Sequence, residues 1–171
     1  ETCALRILAP AVGRIAGALA RMAAGGGTSW RQDIPAELLA PMDEGDLMEL
    51  LGALLENAAK WAVSDVLVAA RAEGASVVLL IEDDGPGIPS QHRLAALARG
   101  VRLDPGRSGT GLGLAIADDI VRAYGGDLRL EEAASGGLRV RVVLPVRPGA
   151  APATPAPARI SLAPTGDPAL D

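Results

Sequence analysis

"SVVLLIEDDGPGIP", residues 76–89, passes from a serine and five apolar residues through Glu82 into two aspartates, two glycines, an isoleucine and two prolines. The apolar run reads as a buried strand. "DVLVAARAE", residues 65–73, lies just before it across Gly74 and Ala75, so the two segments read as an antiparallel hairpin. A chain that leaves a buried strand through two carboxylates and a tight turn has two uses. It makes an ordinary surface turn, or it holds a carboxylate against a ligand. The segments on either side decide between them.

Upstream, "MDEGDLMELLGALLENAAKWA" places Leu47, Leu50, Leu51, Leu54, Ala58 and Trp61 on one face of a helix, with Asp43 as its cap. Before that, Leu5, Leu8, Val12, Ile15, Leu19 and Met22 step by three and four. This marks an amphipathic helix with Pro10 in its first turn and the glycines at 25–27 at its end. "TSWRQDIP" between the two helices reads as a short strand. Downstream, "SQHRLAALARG" is a short helix capped by Ser90, and "VRLDPGRSGTG" is a loop. "LGLAIADDIVRAYGG" is a helix with Leu112, Ile116, Ile120 and Tyr124 four apart, and "DLRLEEA" with "LRVRVVLP" makes a second hairpin. From Arg147 the composition turns to Pro, Ala and Gly, which suits a flexible tail. Strands in sequential pairs and grouped helices predict a two-layer α/β sandwich, a mixed sheet covered by helices on one face.

Composition narrows the function. A net charge of −5 argues against a nucleic-acid binder. Cys3 and His92 are the only residues of their types, so no internal disulfide and no Cys/His metal cluster can form. No apolar run is long enough to span a membrane, and a lone cysteine suits a reducing compartment, so the expected location is cytoplasmic. The start at Glu1 is expected to be that of a processed or cut piece.

Three segments carry possible chemistry. Ala53, Asn57 and Lys60 share a helix face with Asp46. An amide such as Asn57 either ligates a hard cation or satisfies a loop, and Lys60 either meets a phosphate or is solvated. In the quoted turn, Asp83 or Asp84 accepts hydrogen bonds only, which suits an amino group, while Gly85 and Gly87 permit close approach. In "GTGLGLAIA", residues 109–117, glycines lead into a helix whose first free N–H groups favour phosphate oxygens. The GxGxG spacing and the preceding loop exclude a Rossmann reading, and the absence of GK[ST] excludes a P-loop.

Taken in order, "ENAAK", "DDGPGI" and "GTGLGL" resemble the N, G1 and G2 boxes of the GHKL ATPases, which include gyrase, MutL, heat-shock chaperone ATPases and histidine kinases. "NAAKWA", "DGPGIP" and "GTGLGLAIADDIVRAYGG" look most like the ATP-binding catalytic domain of a bacterial sensor histidine kinase, and "ARGVRLD" resembles its PhoQ-like subgroup. The resemblance runs from about Thr28 to Pro145. It implies ATP and Mg²⁺ as cofactors and transfer of the γ-phosphoryl group to a histidine on a dimerisation region of the same kinase. It also implies a response regulator as partner and a homodimeric full-length protein.

By that resemblance Asp83 accepts the adenine amine, and Gly85, Gly87 and Ile88 make room for the base. Asn57 holds the metal, Lys60 approaches the phosphates and Trp61 the nucleotide's edge. Gly109, Thr110, Gly111, Leu112 and Gly113 form the phosphate loop. Residues 90–108 would be a lid, with Arg99, Arg102 and Arg107 as candidate phosphate partners. The chain would divide into an N-terminal helix joined to the dimerisation region (1–27), the catalytic domain (28–147) and the tail (148–171). It departs from the family pattern at Ala53, where an acid or Asn is usual, at the lid, where Leu97 replaces a Phe, and at Leu138 and Val140 in the last hairpin. His92 lies in the lid and is no acceptor, so the acceptor is expected on a segment outside this chain. A serine kinase of the anti-sigma type and a non-catalytic nucleotide-binding module are the alternatives.

Overall fold

The computed structural model describes residues 6–23, 27–98 and 111–146. Strand β1 (Arg6–Ile7) leads into helix α1 (Leu8–Met22). Then come β2 (Ser29–Asp33), β3 (Leu39–Ala40), α2 (Glu44–Trp61), β4 (Asp65–Glu73) and β5 (Ser76–Asp83). A 3-10 turn at Ser90–His92 precedes the short helix α3 (Arg93–Ala96), followed by α4 (Gly113–Ala123), β6 (Asp127–Glu132) and β7 (Leu138–Pro145).

Five strands form one sheet in the order β2-β4-β5-β7-β6. β2 runs parallel to β4 and the other neighbours are antiparallel, so the sheet is mixed. Period-two alternation sets the register: Val66, Val68, Ile81, Val140 and Val142 are buried, while Arg71, Arg139 and Arg141 alternate with them. The helices supply the second layer. Leu47, Leu50, Leu51, Leu54 and Leu55 of α2 are almost fully buried in the same core as the strands. The expected two-layer α/β sandwich is the fold observed.

Several local expectations need correction. Helix α1 starts at Leu8, which still leaves Pro10 in the first turn, where its missing N–H is not needed. Met22, at the helix end, is 78% exposed. Leu8, Ala11 and Val12 are buried in the common core, so α1 packs on the sandwich. β1 and β3 pair antiparallel, Arg6 with Ala40 and Ile7 with Leu39, and they clip the start of α1 to the segment before α2. A two-residue ladder has too little periodicity to show in the sequence.

Asp43 occupies the position before α2 but makes no side-chain cap. Instead its N–H donates to the Tyr124 hydroxyl at 3.2 Å, and that hydroxyl donates to Asp46 at 2.5 Å. The end of α4 is thereby tied to the start of α2. Ser90 caps no continuous helix, because a 3-10 turn precedes α3. The tail from residue 147, most of the expected lid, and with it Arg99, Arg102, Arg107, Gly109 and Thr110 lie outside the described residues.

Candidate active site

Helix α2 organises the site. Ala53, Asn57 and Trp61 are four apart and follow one another along one side of the helix, spanning about 12 Å. At one end of that row, a side chain on Gly85 would begin 2.3 Å from the Trp61 carbonyl oxygen. The "DDGPG" turn is therefore seated on the C-terminal end of α2, and only a residue without Cβ allows that approach. At the other end, a side chain on Gly113 would begin 3.5 Å from the Ala53 carbonyl oxygen, so the start of α4 rests against α2 there. Asn57 lies midway between these contacts. It is half-buried, and none of the described residues hydrogen-bonds its side chain. Lys60 stacks over the ring of Trp61, 5.0 Å from its centroid.

The two aspartates of the turn have opposite fates. Asp84 is taken up by the fold. Its Oδ1 accepts the N–H groups of Val63, Ser64 and Asp65 at 2.8–3.0 Å, and its Oδ2 accepts the Ser64 hydroxyl at 2.7 Å. These donors favour the ionised form and hold its pKa far below the usual carboxylate range. They also pin the connection between α2 and β4 to the end of β5.

Asp83 continues the alternation of Leu79 and Ile81 toward the helices and is only 3% exposed. Its Oδ1 accepts the N–H groups of Gly85 at 2.9 Å and Leu138 at 3.3 Å. Among the described residues, none donates to its Oδ2. Burial pushes its pKa up, the two N–H donors oppose that, and the charge of Asp84 adds to it. A carboxylate in place of an apolar side chain, with one oxygen still able to accept, is an arrangement suited to a ligand donor.

Gly111 adopts φ +68°, Leu112 stands at the helix start without a side-chain cap, and Gly113 is the first residue of α4. The N–H groups of its first turn have no partner within the helix, so an anion facing that end would meet donors and the positive end of the helix dipole. Ile88 packs on the core, and its carbonyl accepts Arg93 Nε at 2.9 Å. Gly87 has φ +68° and rests on the carbonyls of Gly136 and Gly137.

The structure thus gathers Asn57, Lys60, Trp61, Asp83, Gly85 and the start of α4 along one side of α2. The sequence reading did not find the β6–β7 connection behind Asp83 or the donors gathered by Asp84. Their only trace was the "SGG" at residues 135–137 and the second aspartate itself. No group of three or more His, Cys, Asp or Glu able to hold a metal occurs among the described residues.

Residues 42–148 match the family of histidine kinase-, DNA gyrase B- and HSP90-like ATPases. The chain belongs to this ATPase family. Over 120 residues it is 53% identical to the sensor protein kinase CarS of Pseudomonas aeruginosa, covering 70% of this chain and 26% of CarS. It is 38% identical over 135 residues to the two-component sensor PhoQ of the same organism, covering 79% of this chain and 30% of PhoQ. The chain therefore spans less than a third of the length of these curated relatives. Among solved structures, the mycobacterial sensor histidine kinase MprB superposes with a TM-score of 0.74 at 28% identity, covering 86% of this chain and 99% of that one. The sandwich is thus the ATP-binding fold of histidine kinase catalytic domains. No helix of the described residues is long and apolar enough to cross a membrane.

Proposed function

We propose that the chain is the ATP-binding catalytic domain of a two-component sensor histidine kinase. It binds ATP with Mg²⁺ and delivers the γ-phosphoryl group to a histidine on a helical dimerisation region of the same kinase. The observation that carries this reading is Asp83: a buried carboxylate with Oδ1 held by backbone donors and Oδ2 open, in a turn seated on the end of α2.

Asp83 accepts a hydrogen from the adenine amine. The row from Trp61 to Ala53 then leads the triphosphate along α2 to the uncapped start of α4, where backbone N–H groups orient it. Asn57, halfway along and unpaired among the described residues, supplies an amide oxygen for the cation. One protein oxygen is a fitting contribution, because Mg²⁺ takes its remaining ligands from phosphate and water. Bound Mg²⁺ would neutralise phosphate charge as the phosphoryl group transfers. Lys60, placed one turn after Asn57, adds positive charge near the phosphates. Arg99, Arg102, Gly109 and Thr110 complete the phosphate side. Ala53 has no group to activate water, so the site favours transfer to an acceptor over hydrolysis.

The named relatives are sensor kinases, which favours a histidine acceptor over a serine one. The intact protein is then a homodimer that passes its phosphoryl group to a response regulator, with this domain in the cytoplasm. Incubating the chain with γ-labelled ATP, with and without a histidine-bearing helical hairpin of the same kinase, tests the reading. Acid-labile label on the hairpin alone is expected. Label on His92 of this chain, or acid-stable label on a serine, would refute it.

A further inference from the structure

Asp83 is held from behind by residues more than fifty positions away, in the connection between β6 and β7. A side chain on Gly137 would begin 2.0 Å from the Asp83 carbonyl oxygen, so the two backbones touch at a point where no Cβ fits. Ser135 Oγ donates to the same carbonyl at 3.2 Å. Leu138, where β7 begins, donates its N–H to Asp83 Oδ1 at 3.3 Å. The connection is braced internally: the Ala133 N–H donates to Gly137 O and the Gly136 N–H to Ala133 O, both at 2.9 Å. Three contacts from four consecutive residues therefore converge on one aspartate. Those on the carbonyl fix where Asp83 sits, and the one on Oδ1 fixes how its carboxylate is turned. Oδ2 is what remains for a ligand.

We propose that the β6–β7 connection is a specificity device for the base. Ser135, Gly137 and Leu138 are positioning residues that turn the Asp83 carboxylate so that a single oxygen faces the ligand. A base with an amino donor satisfies that oxygen. A base with a carbonyl there sets acceptor against acceptor. The proposal rests on Asp83 being the adenine contact.

The test compares dissociation constants for ATP and inosine triphosphate on the whole chain, since the two differ at the exocyclic amine. The ratio of the two constants reports the Asp83 contact and cancels any general loss of folded protein. The wild type is expected to prefer ATP by about tenfold or more. Gly137→Ala should bring the ratio close to one. Ser135→Ala, which removes one neutral hydrogen bond, should lower it by roughly two- to fivefold. Val142→Ala empties part of the core away from the site, and should lower the melting temperature and leave the ratio alone. Should Gly137→Ala not fold, an unchanged ratio in Ser135→Ala overturns the proposal by itself. A wild type without preference overturns the adenine reading and the proposal together. A wild-type preference retained in both variants overturns the positioning role alone.

Discussion

Replacing Asp83 by Asn separates what the residue does for the fold from what it does for the ligand. The amide oxygen can take the place of Oδ1 and keep the N–H donors of Gly85 and Leu138. The NH₂ group then falls where Oδ2 was, so a donor faces the adenine amine. A hydrogen bond to a charged group contributes about 1.5–3 kcal/mol, so its loss weakens ATP binding by roughly ten- to a hundredfold or more. Stability should move the other way. Burial raises the Asp83 pKa in the folded state, so the folded protein binds more protons than the unfolded chain in the window above the ordinary value of 3.8. Stability therefore falls as pH rises through that window, and at neutral pH the ionised carboxylate is a standing cost. Asp83→Asn removes that cost. The expected outcome at pH 7 is a melting temperature equal to or above wild type with ATP binding largely lost. The stability difference should fade as the pH drops below about 4. Titration calorimetry with ATP and thermal melts across pH measure both. A folded variant with wild-type ATP affinity would refute the adenine contact. A sharply lower melting temperature at pH 7 would refute the claim that burying this charge opposes folding.

Asn57→Ala should abolish the strengthening of ATP binding by Mg²⁺ and leave metal-free binding nearly unchanged; titrations with and without the metal decide it, and a retained metal effect makes Asn57 a structural amide. Asp84→Ala should lower the melting temperature at neutral pH, because the N–H groups of Val63, Ser64 and Asp65 lose their acceptor. Its depressed pKa means this contribution is present above the ordinary value of 3.8 and is lost as pH falls toward the folded-state value, so the difference from wild type should shrink in acid. Tyr124→Phe should cost about 1 kcal/mol in chemical denaturation by removing the bridge from α4 to Asp46 and the Asp43 N–H. Burial first, and then Asp46, raise the Tyr124 pKa, so wild-type stability should decline above pH 10 as the unfolded chain ionises, and the variant should lack that decline.

The elements with strong periodicity were legible from sequence. The leucines of α2, the apolar run of β5 and the alternating apolar residues of β7 lie where the sequence pattern put them, because each had to enter a buried core. Asp83, Asn57 and the start of α4 were legible as motifs whose residue types and order match a known pattern. The pairing of β1 with β3 and the bond from Tyr124 to Asp46 were not, since each depends on segments brought together only in the folded chain. The same holds for α1. Its stripe was plain in the sequence, but only the shared burial of Leu8, Val12 and Leu50 shows that it packs into this core.

The adjacent aspartates show where sequence reasoning stops and why. Asp83 and Asp84 are chemically identical, and either could have faced a ligand. Asp83 ends β5 in step with Leu79 and Ile81, whereas Asp84 is the first residue beyond the strand. The side on which Leu79 and Ile81 lie is the buried one, so the burden of desolvation falls on Asp83. Asp84 instead meets the N–H groups of the chain leaving α2 and is taken up by the fold. A chain selected for stability alone would put an apolar residue at 83, since a buried carboxylate opposes folding unless something donates to it. Two backbone N–H groups meet one oxygen of Asp83 and leave the other. A ligand that donates to that remaining oxygen binds only the folded domain, so its binding adds to the domain's stability. A ligand that donates there should raise the melting temperature of the wild type and leave that of Asp83→Asn where it stands.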